Sequence, residues 1–307
     1  MRKPVICAFF LMVHVASSGV AWASACCGGG HGLGQRLGPM ERGAVGVSLR
    51  DSPRFGSFDP SSRFSPIPAG SVDNEVRADL SLLFAPIRRV QLGLALPFLL
   101  NLRRFGEQSA WGGGLSDVSA SLRVDLIPLS SPNGLPSIAL TTSVLFPTGR
   151  PLNQDAGALG EGATGLGVGE LRPGIFVEKT WEGHATAVFA GSVGFRTPSM
   201  GFLGESIQLG PRARFLAAMG PVFSSGMSFS LGLVFEMEPA PTFSGIAAVD
   251  GDRRRTALLG FFGYDLSPRF TLLGSFEVDL PVSQLSKNEP SAVAISLGLR
   301  RAFSWKD

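Results

Sequence analysis

Residues 227–237 read Met-Ser-Phe-Ser-Leu-Gly-Leu-Val-Phe-Glu-Met. Successive side chains of an extended strand point to opposite faces. Met227, Phe229, Leu231, Leu233, Phe235 and Met237 therefore share one face, and Ser228, Ser230, Gly232, Val234 and Glu236 share the other. A strand of about 10 residues, oily on one side and mostly polar or small on the other, fits a β-barrel wall with hydrocarbon outside and a polar lumen inside.

The same rhythm recurs along the chain. It predicts about twelve strands, over residues 41–50, 76–84, 90–100, 115–127, 136–146, 166–180, 185–195, 206–218, 227–237, 255–266, 270–280 and 291–305. Tight turns are expected at Pro86-Ile87-Arg88-Arg89, Ser131-Pro132-Asn133-Gly134, Trp181-Glu182-Gly183-His184 and Ser267-Pro268-Arg269. The Asn-Gly step is a turn signal with a steric cause, because glycine accepts positive φ. Connections before strands 3, 5, 7, 9 and 11 are short, and the six others are longer. That asymmetry matches short periplasmic turns and long external loops, and an even strand count returns both termini to the periplasmic side. The expected fold is all-β: a transmembrane, antiparallel, up-and-down barrel over 41–307.

Residues 1–25 stand apart. Arg2 and Lys3 precede the apolar run 5–13, and Ala23-Ser24-Ala25 offers small residues for signal peptidase. The segment is thus expected to be a cleaved signal peptide. It carries two of the 27 basic residues and none of the 24 acids, leaving 25 against 24, a net charge of +1. The basic balance of the full chain therefore implies no nucleic-acid partner. Cys26 and Cys27 open an expected flexible Cys/Gly-rich tail over 26–40. Lipidation at Cys26 is one reading, against which Ala23 stands where a lipoprotein signal usually has Leu. Cys26, Cys27 and His31 as soft metal ligands form only a three-residue set with no second cluster. A tail with reducible thiols is preferred, with no metal and no cofactor.

No apolar stretch reaches the roughly 18 residues of a membrane helix; the best, 90–100, is interrupted by Gln91 and Pro97. Yet mean hydropathy is +0.24 and only 17% of residues are charged. A closed barrel reconciles the two, since it satisfies every backbone group in lipid without leaving an edge. A soluble β-sandwich also alternates, but its long loops need not fall at every second connection. No repeat of 20–50 residues is visible. Trp181, Phe195, Phe235, Phe270, Phe303 and Trp305 lie near expected strand ends, where aromatic girdles sit.

Gly114-Leu115-Ser116-Asp117-Val118, then Val144-Leu145-Phe146-Pro147-Thr148-Gly149-Arg150, then Gly165-Leu166-Gly167-Val168-Gly169 follow one another around a long loop. This pattern resembles the outer-membrane transporter-like family named after the meta-cleavage pathway of phenol degradation, over about residues 80–300. In that family a Gly-x-x-Asp segment opens one strand and a Pro-Thr-Gly step closes the next at the outer rim. Ser116 departs from the small residue expected there. The resemblance implies a barrel associated with uptake of small, often aromatic, hydrophobic compounds, and carries no catalytic residues over. Physically, Pro147 ends pairing and Gly149 permits the turn, so a structural rim is the preferred role. The glycines at 165–169 lack the strand–helix setting of a dinucleotide loop.

Catalysis is not expected. The mature chain has only His31 in the tail and His184 in a periplasmic turn, neither near a serine-bearing strand. Charges on the lipid face would cost about 2–4 kcal/mol at mid-bilayer, so charged strand residues belong in the lumen. The expected lumen-lining set is Arg77, Asp79, Arg123, Asp125, Arg172, Glu178, Arg212, Arg214, Glu236, Glu277 and Asp279. Glu277 and Asp279 are expected to pair across the lumen with Arg123, Arg212 or Arg214. Balanced signs argue against ion selectivity from a single-sign ring. In the segment 255–266, Ala257, Leu259 and Phe261 fall on the inner face, which suggests a narrowed or plugged lumen. Two functions follow: passage of small hydrophobic or neutral solutes, or a closed barrel whose long loops bind a partner. The expected partners are the outer-membrane bilayer of a Gram-negative cell, the barrel assembly machinery and a small-molecule solute.

Overall fold

The computed structural model describes residues 36–129, 134–181, 184–201 and 204–305. Residues 1–35 fall outside it, and with them the signal segment, Cys26, Cys27 and His31. So do Ser131, Pro132 and Asn133 of one expected turn and Glu182 and Gly183 of another.

Twelve strands make the barrel: β1 (Glu41–Phe58), β2 (Val72–Ile87), β3 (Val90–Phe105), β4 (Val118–Ile127), β5 (Ser137–Phe146), β6 (Glu170–Trp181), β7 (Ala185–Arg196), β8 (Arg212–Pro221), β9 (Met227–Glu238), β10 (Arg253–Ser267), β11 (Phe270–Asp279) and β12 (Pro290–Ser304). Each pairs antiparallel with its sequence neighbour, and β12 pairs with β1 from Glu41↔Ser304 to Ser57↔Pro290. The sheet therefore closes on itself. None of the twelve presents an unpaired edge along its length to hydrocarbon.

The alternation in β9 resolves as expected. Phe229, Leu231, Leu233, Phe235 and Met237 are exposed on the outer surface, with Leu233 at 53%, whereas Ser228, Ser230 and Val234 are fully buried inside. The outer belt continues around the barrel through Val47, Leu49, Leu92, Leu94, Phe98, Leu122, Phe189, Phe215, Ile295 and Leu297. An apolar exterior on a sheet closed in this way is the surface of a transmembrane barrel.

Strand boundaries differ from the sequence reading where the wall leaves the membrane. β1 and β2 run beyond 50 and below 76 into water, held there by polar pairs: Arg54 Nη1 donates to Asp73 Oδ2 at 2.8 Å, and Asn74 Nδ2 to Asp51 Oδ1 at 2.8 Å. A strand standing in water on both faces needs no oily side, so alternation cannot reveal it. The expected strand 115–127 instead starts at Val118. Residues Gln108–Leu115 fold back as a hairpin on the outer end of β3, from Phe105↔Gln108 to Phe98↔Leu115. The expected strand 206–218 splits into a short rim strand, Ser206–Gln208, and β8. Pro211 precedes β8 and has no N–H to offer a ladder. Ser199–Met200, Ser206–Gln208, Thr242–Phe243 and Ile246–Ala247 form a separate four-stranded sheet from the loops after β7 and β9.

Leu233→Arg is expected to destabilise the barrel by roughly 2–4 kcal/mol in denaturant unfolding from lipid vesicles. Leu233→Phe leaves stability within about 1 kcal/mol of the native chain. Equal effects from both would remove the lipid-facing assignment.

Candidate functional site in the lumen and its outer rim

The inner surface carries a buried apolar cluster and an arc of small hydroxylated residues. On β5–β10, Ala139, Phe176, Val188, Ala190, Leu216, Ala218, Val234, Leu259 and Phe261 form one buried apolar cluster. Ala257, Leu259 and Phe261 of β10 are buried here, as parity predicted. On the opposite arc, Ser48, Ser81, Ser119, Ser121, Ser275 and Ser296 are half-buried. The Ser275 and Ser296 hydroxyls share a hydrogen bond at 2.6 Å. The apolar cluster shares its strands with buried Ser137, Thr186, Ser192, Ser228 and Ser230, while the arc formed by β1, β2, β4, β11 and β12 is small and hydroxylated.

The charged residues occur in compensated groups. Arg77 Nε donates to Asp79 Oδ1 and Arg123 Nε to Asp125 Oδ1, both at 2.8 Å. Arg172 Nε donates to Glu170 Oε1 at 2.6 Å. Each of these pairs lies two residues apart on one strand and so on one face. Arg123 also places its guanidinium 4.7 Å from the Phe176 ring centroid. Glu236 collects Arg212, Arg214 at 3.2 Å and Arg255 at 3.5 Å. Arg214 and Arg255 lie directly opposite Glu236 on the two neighbouring strands.

Glu277 and Asp279 pair differently from the sequence expectation. Glu277 meets Arg255 and, at 3.1 Å, Arg50; Asp279 meets Arg255 at 2.6 Å and accepts from the Ala292 N–H at 2.8 Å. Arg123 is held by Asp125 and Arg212 by Glu236. The reason is proximity along the wall: Arg255 lies on the strand next to Glu277 and Asp279, and Arg50 lies one strand beyond β12 on the other side, nearer than partners across the lumen. The structure adds Glu170, Arg196, Glu238, Arg50 and Arg255 to the charged set expected from sequence. Arg196 binds Glu170 at 3.0 Å and Glu238 at 2.7 Å. Parity with Arg172 is the signal that points to Glu170, while Arg196 and Glu238 each lie one residue beyond an expected strand end.

At the periplasmic mouth the chain entering β1 crosses the opening. Arg36 Nη2 donates to Glu178 Oε1 at 3.1 Å, and Glu178 is fully buried. The Leu37 N–H donates to Gln91 Oε1 at 2.8 Å, and its side chain packs with Ala44, Ala85, Leu83 and Trp305. Gln91 in turn donates to Asp125 Oδ2 at 3.4 Å. Arg36 and Leu37, grouped by sequence with the tail, are thus seated inside the barrel.

The outer rim gathers the motif residues into one knot. Buried Asp117 accepts from the Gly149 N–H through Oδ1 and from the Leu166 N–H through Oδ2, both at 2.9 Å. Thr148 Oγ1 donates to the Ser116 carbonyl at 2.8 Å and accepts from the Val118 N–H at 3.0 Å. Thr164 Oγ1 donates to the Leu115 carbonyl at 2.8 Å and accepts from the Arg150 N–H at 2.9 Å. These bonds, with those from the Thr164 and Gly165 N–H groups to the Arg150 carbonyl and from the Gly169 N–H to Thr197 Oγ1, divert backbone groups from the ladder, which is why β4 and β6 begin later than periodicity suggests. They also explain the glycine at 165, where a Cβ would sit 2.8 Å from Gly149 Cα. Elsewhere on the rim, Lys287 hydrogen-bonds Asp252 and holds that carboxyl below its usual range. Among the described residues, no group of three or more His, Cys, Asp or Glu is placed to hold a metal.

No family model and no curated protein matches the chain. Among solved structures it is similar to an outer-membrane channel from Pseudomonas putida F1, at 15% identity and a TM-score of 0.73, over 87% of this chain and 97% of that one. It is also similar to the NanC porin, at 8% identity and a TM-score of 0.51, over 84% of this chain and 100% of that one. At these identities the likeness establishes the fold: the chain is a β-barrel of the outer-membrane type.

Asp117→Ala leaves the buried Gly149 N–H and the part-buried Leu166 N–H without their carboxylate, at a cost of roughly 1–3 kcal/mol for the buried one. The expected outcome is faster limited proteolysis within 147–169 and a lower denaturation midpoint. Cleavage unchanged from the native chain would show that the loop is pinned by something else.

Proposed function

We propose that this chain is an outer-membrane channel for small apolar or aromatic solutes, exported by segment 1–25 and inserted by the barrel assembly machinery. The observation that carries this reading is the inner surface, where an apolar cluster on β5–β10 is combined with small hydroxylated residues and the charges are arranged in opposed pairs. A single-sign ring would favour ions. Opposed Arg and Glu groups close to one another cancel at short range, and the apolar wall offers a solute's hydrocarbon body a surface that water does not. The similar structure from Pseudomonas putida F1 is described as an outer membrane channel, which supports the same reading. The knot of Asp117, Thr148 and Gly149 supports the finer resemblance to the meta-cleavage phenol-degradation family, because the Gly-x-x-Asp and Pro-Thr-Gly segments meet there. The eleven charged residues predicted from sequence line the path in this proposal; none is assigned a catalytic role.

A second reading is a closed barrel whose long loops bind a partner. It is favoured by Arg36 and Leu37, which are seated in the periplasmic mouth with Glu178 fully buried. Liposome swelling with an aromatic solute against a sugar of similar mass separates the two readings. The channel reading predicts preferential influx of the aromatic solute. It also predicts that Arg36→Ala raises that influx roughly tenfold or more, since breaking a buried ion pair costs about 3–5 kcal/mol. Silent vesicles with both the native and variant chains would favour the closed barrel.

A further inference from the structure

The periplasmic rim carries a charge asymmetry that neither the lumen nor the outer loops require. Residues 42–45, 84–90, 266–272 and 299–305 contain Arg42, Arg88, Arg89, Arg269, Arg300 and Arg301 and no acidic residue. Arg300 turns inward to Glu41. The other five are exposed. They occupy adjoining positions around the barrel: Arg269 in the turn before β11, Arg301 on β12, Arg42 on β1, and Arg88 with Arg89 in the turn between β2 and β3. With neighbouring strands about 4.8 Å apart, the arc from β11 to β3 spans about 20 Å. The periplasmic turn before β9, 222–226, has no charged residue at all.

Two of the arginines are held at the level where lipid headgroups lie. Arg42 sits at a break in the β1–β12 register between Glu41 and Gly43. A bulge of this kind re-aims a side chain, and here Glu41 points in to Arg300 while Arg42 lies over the exposed ring of Phe84 and over Trp305, which also packs against the cluster at the mouth. Its guanidinium is 5.7 Å from the Phe84 ring centroid and 5.3 Å from that of Trp305. Arg301 is 5.7 Å from Phe270 and 5.2 Å from Phe303. Aromatic rings at strand ends mark the membrane–water boundary. A guanidinium lying against a ring still presents N–H groups, whose fork matches a phosphate. Among the described residues, Arg42, Arg88, Arg89 and Arg301 meet no carboxylate.

We propose that the periplasmic rim of β11, β12, β1, β2 and β3 is a docking surface for anionic phospholipid headgroups. The charge is complementary, the rings place it at the headgroup plane, and the arc is long enough for a lipid with two phosphates. The proposal rests on the barrel's seat in a bilayer and is independent of what passes through it.

The test is native mass spectrometry of the mature barrel with cardiolipin or phosphatidylethanolamine. The native chain is expected to retain cardiolipin in preference. R42Q/R301Q is expected to weaken cardiolipin binding by roughly tenfold or more, with its heat-dependent gel shift intact as evidence of folding. R88Q/R89Q, placed in a turn outside the membrane wall, is expected to weaken it similarly and serves if the first variant fails to fold. Equal retention of both lipids by the native chain, or native cardiolipin binding by folded variants, would overturn the proposal. A native chain without the gel shift would count against the barrel's membrane seat, which is a separate failure.

Discussion

A β-strand in hydrocarbon has nowhere to place its backbone N–H and C=O groups except on another strand. The pairing of β12 with β1 is therefore the constraint on which the molecule depends. Once that seam closes, each strand of the wall has an inside and an outside, and the two-residue period of the chain becomes a radial sorting of chemistry. Leu, Phe and Ile go to lipid; Ser, Gly, Arg and Glu go inward. A one-residue slip at any strand would exchange the two faces, and the hydrophobic pattern fixes the register against it.

Closure also dictates how the interior handles charge. A guanidinium that cannot face lipid must be matched inside, and the nearest acid is usually two residues along the same strand or directly across the ladder. Arg77–Asp79 and Arg123–Asp125 illustrate the first geometry; Arg214 and Arg255 around Glu236 illustrate the second. Replacing one member of such a buried set leaves an uncompensated charge, which costs far more than the pair contributes. The apolar cluster around Phe176 and Leu259 fills part of the bore without polar groups that would demand partners. The segment from Arg36 then ties the mouth to this interior through Glu178 and Gln91.

Much of this is legible in the chain because membrane strands obey one rule. Phe229, Leu231 and Leu233 name their face without further information, and the alternating lengths of the connections orient the barrel. The rule fails where its cause is absent. Beyond Arg50 the wall stands in water, so Pro53 and Arg54 continue a strand that shows no oily side. Residues 115–117 and 166–169 alternate well enough, but the Leu115 and Ser116 carbonyls are spent on Thr164 and Thr148, the Leu166 N–H on Asp117 and the Gly169 N–H on Thr197, a tertiary arrangement that no local pattern encodes. The partners of Glu277 are hidden for a similar reason: Arg255 stands at the very start of its expected strand, where its inward direction is least marked. The Arg36–Glu178 pair joins residues 142 apart in sequence, and neither carries a local mark of the other.

The radial sorting of β9 is the claim from which the rest descends, and spin labels at successive positions from 228 to 237 in bilayers test it directly. The account predicts a period of two: labels at 229, 231, 233 and 235 collide freely with dissolved oxygen and not with a water-soluble nickel reagent, while labels between them are shielded from the lipid. A profile without that period, or odd positions shielded from both reagents as in the core of a soluble sheet, would contradict it.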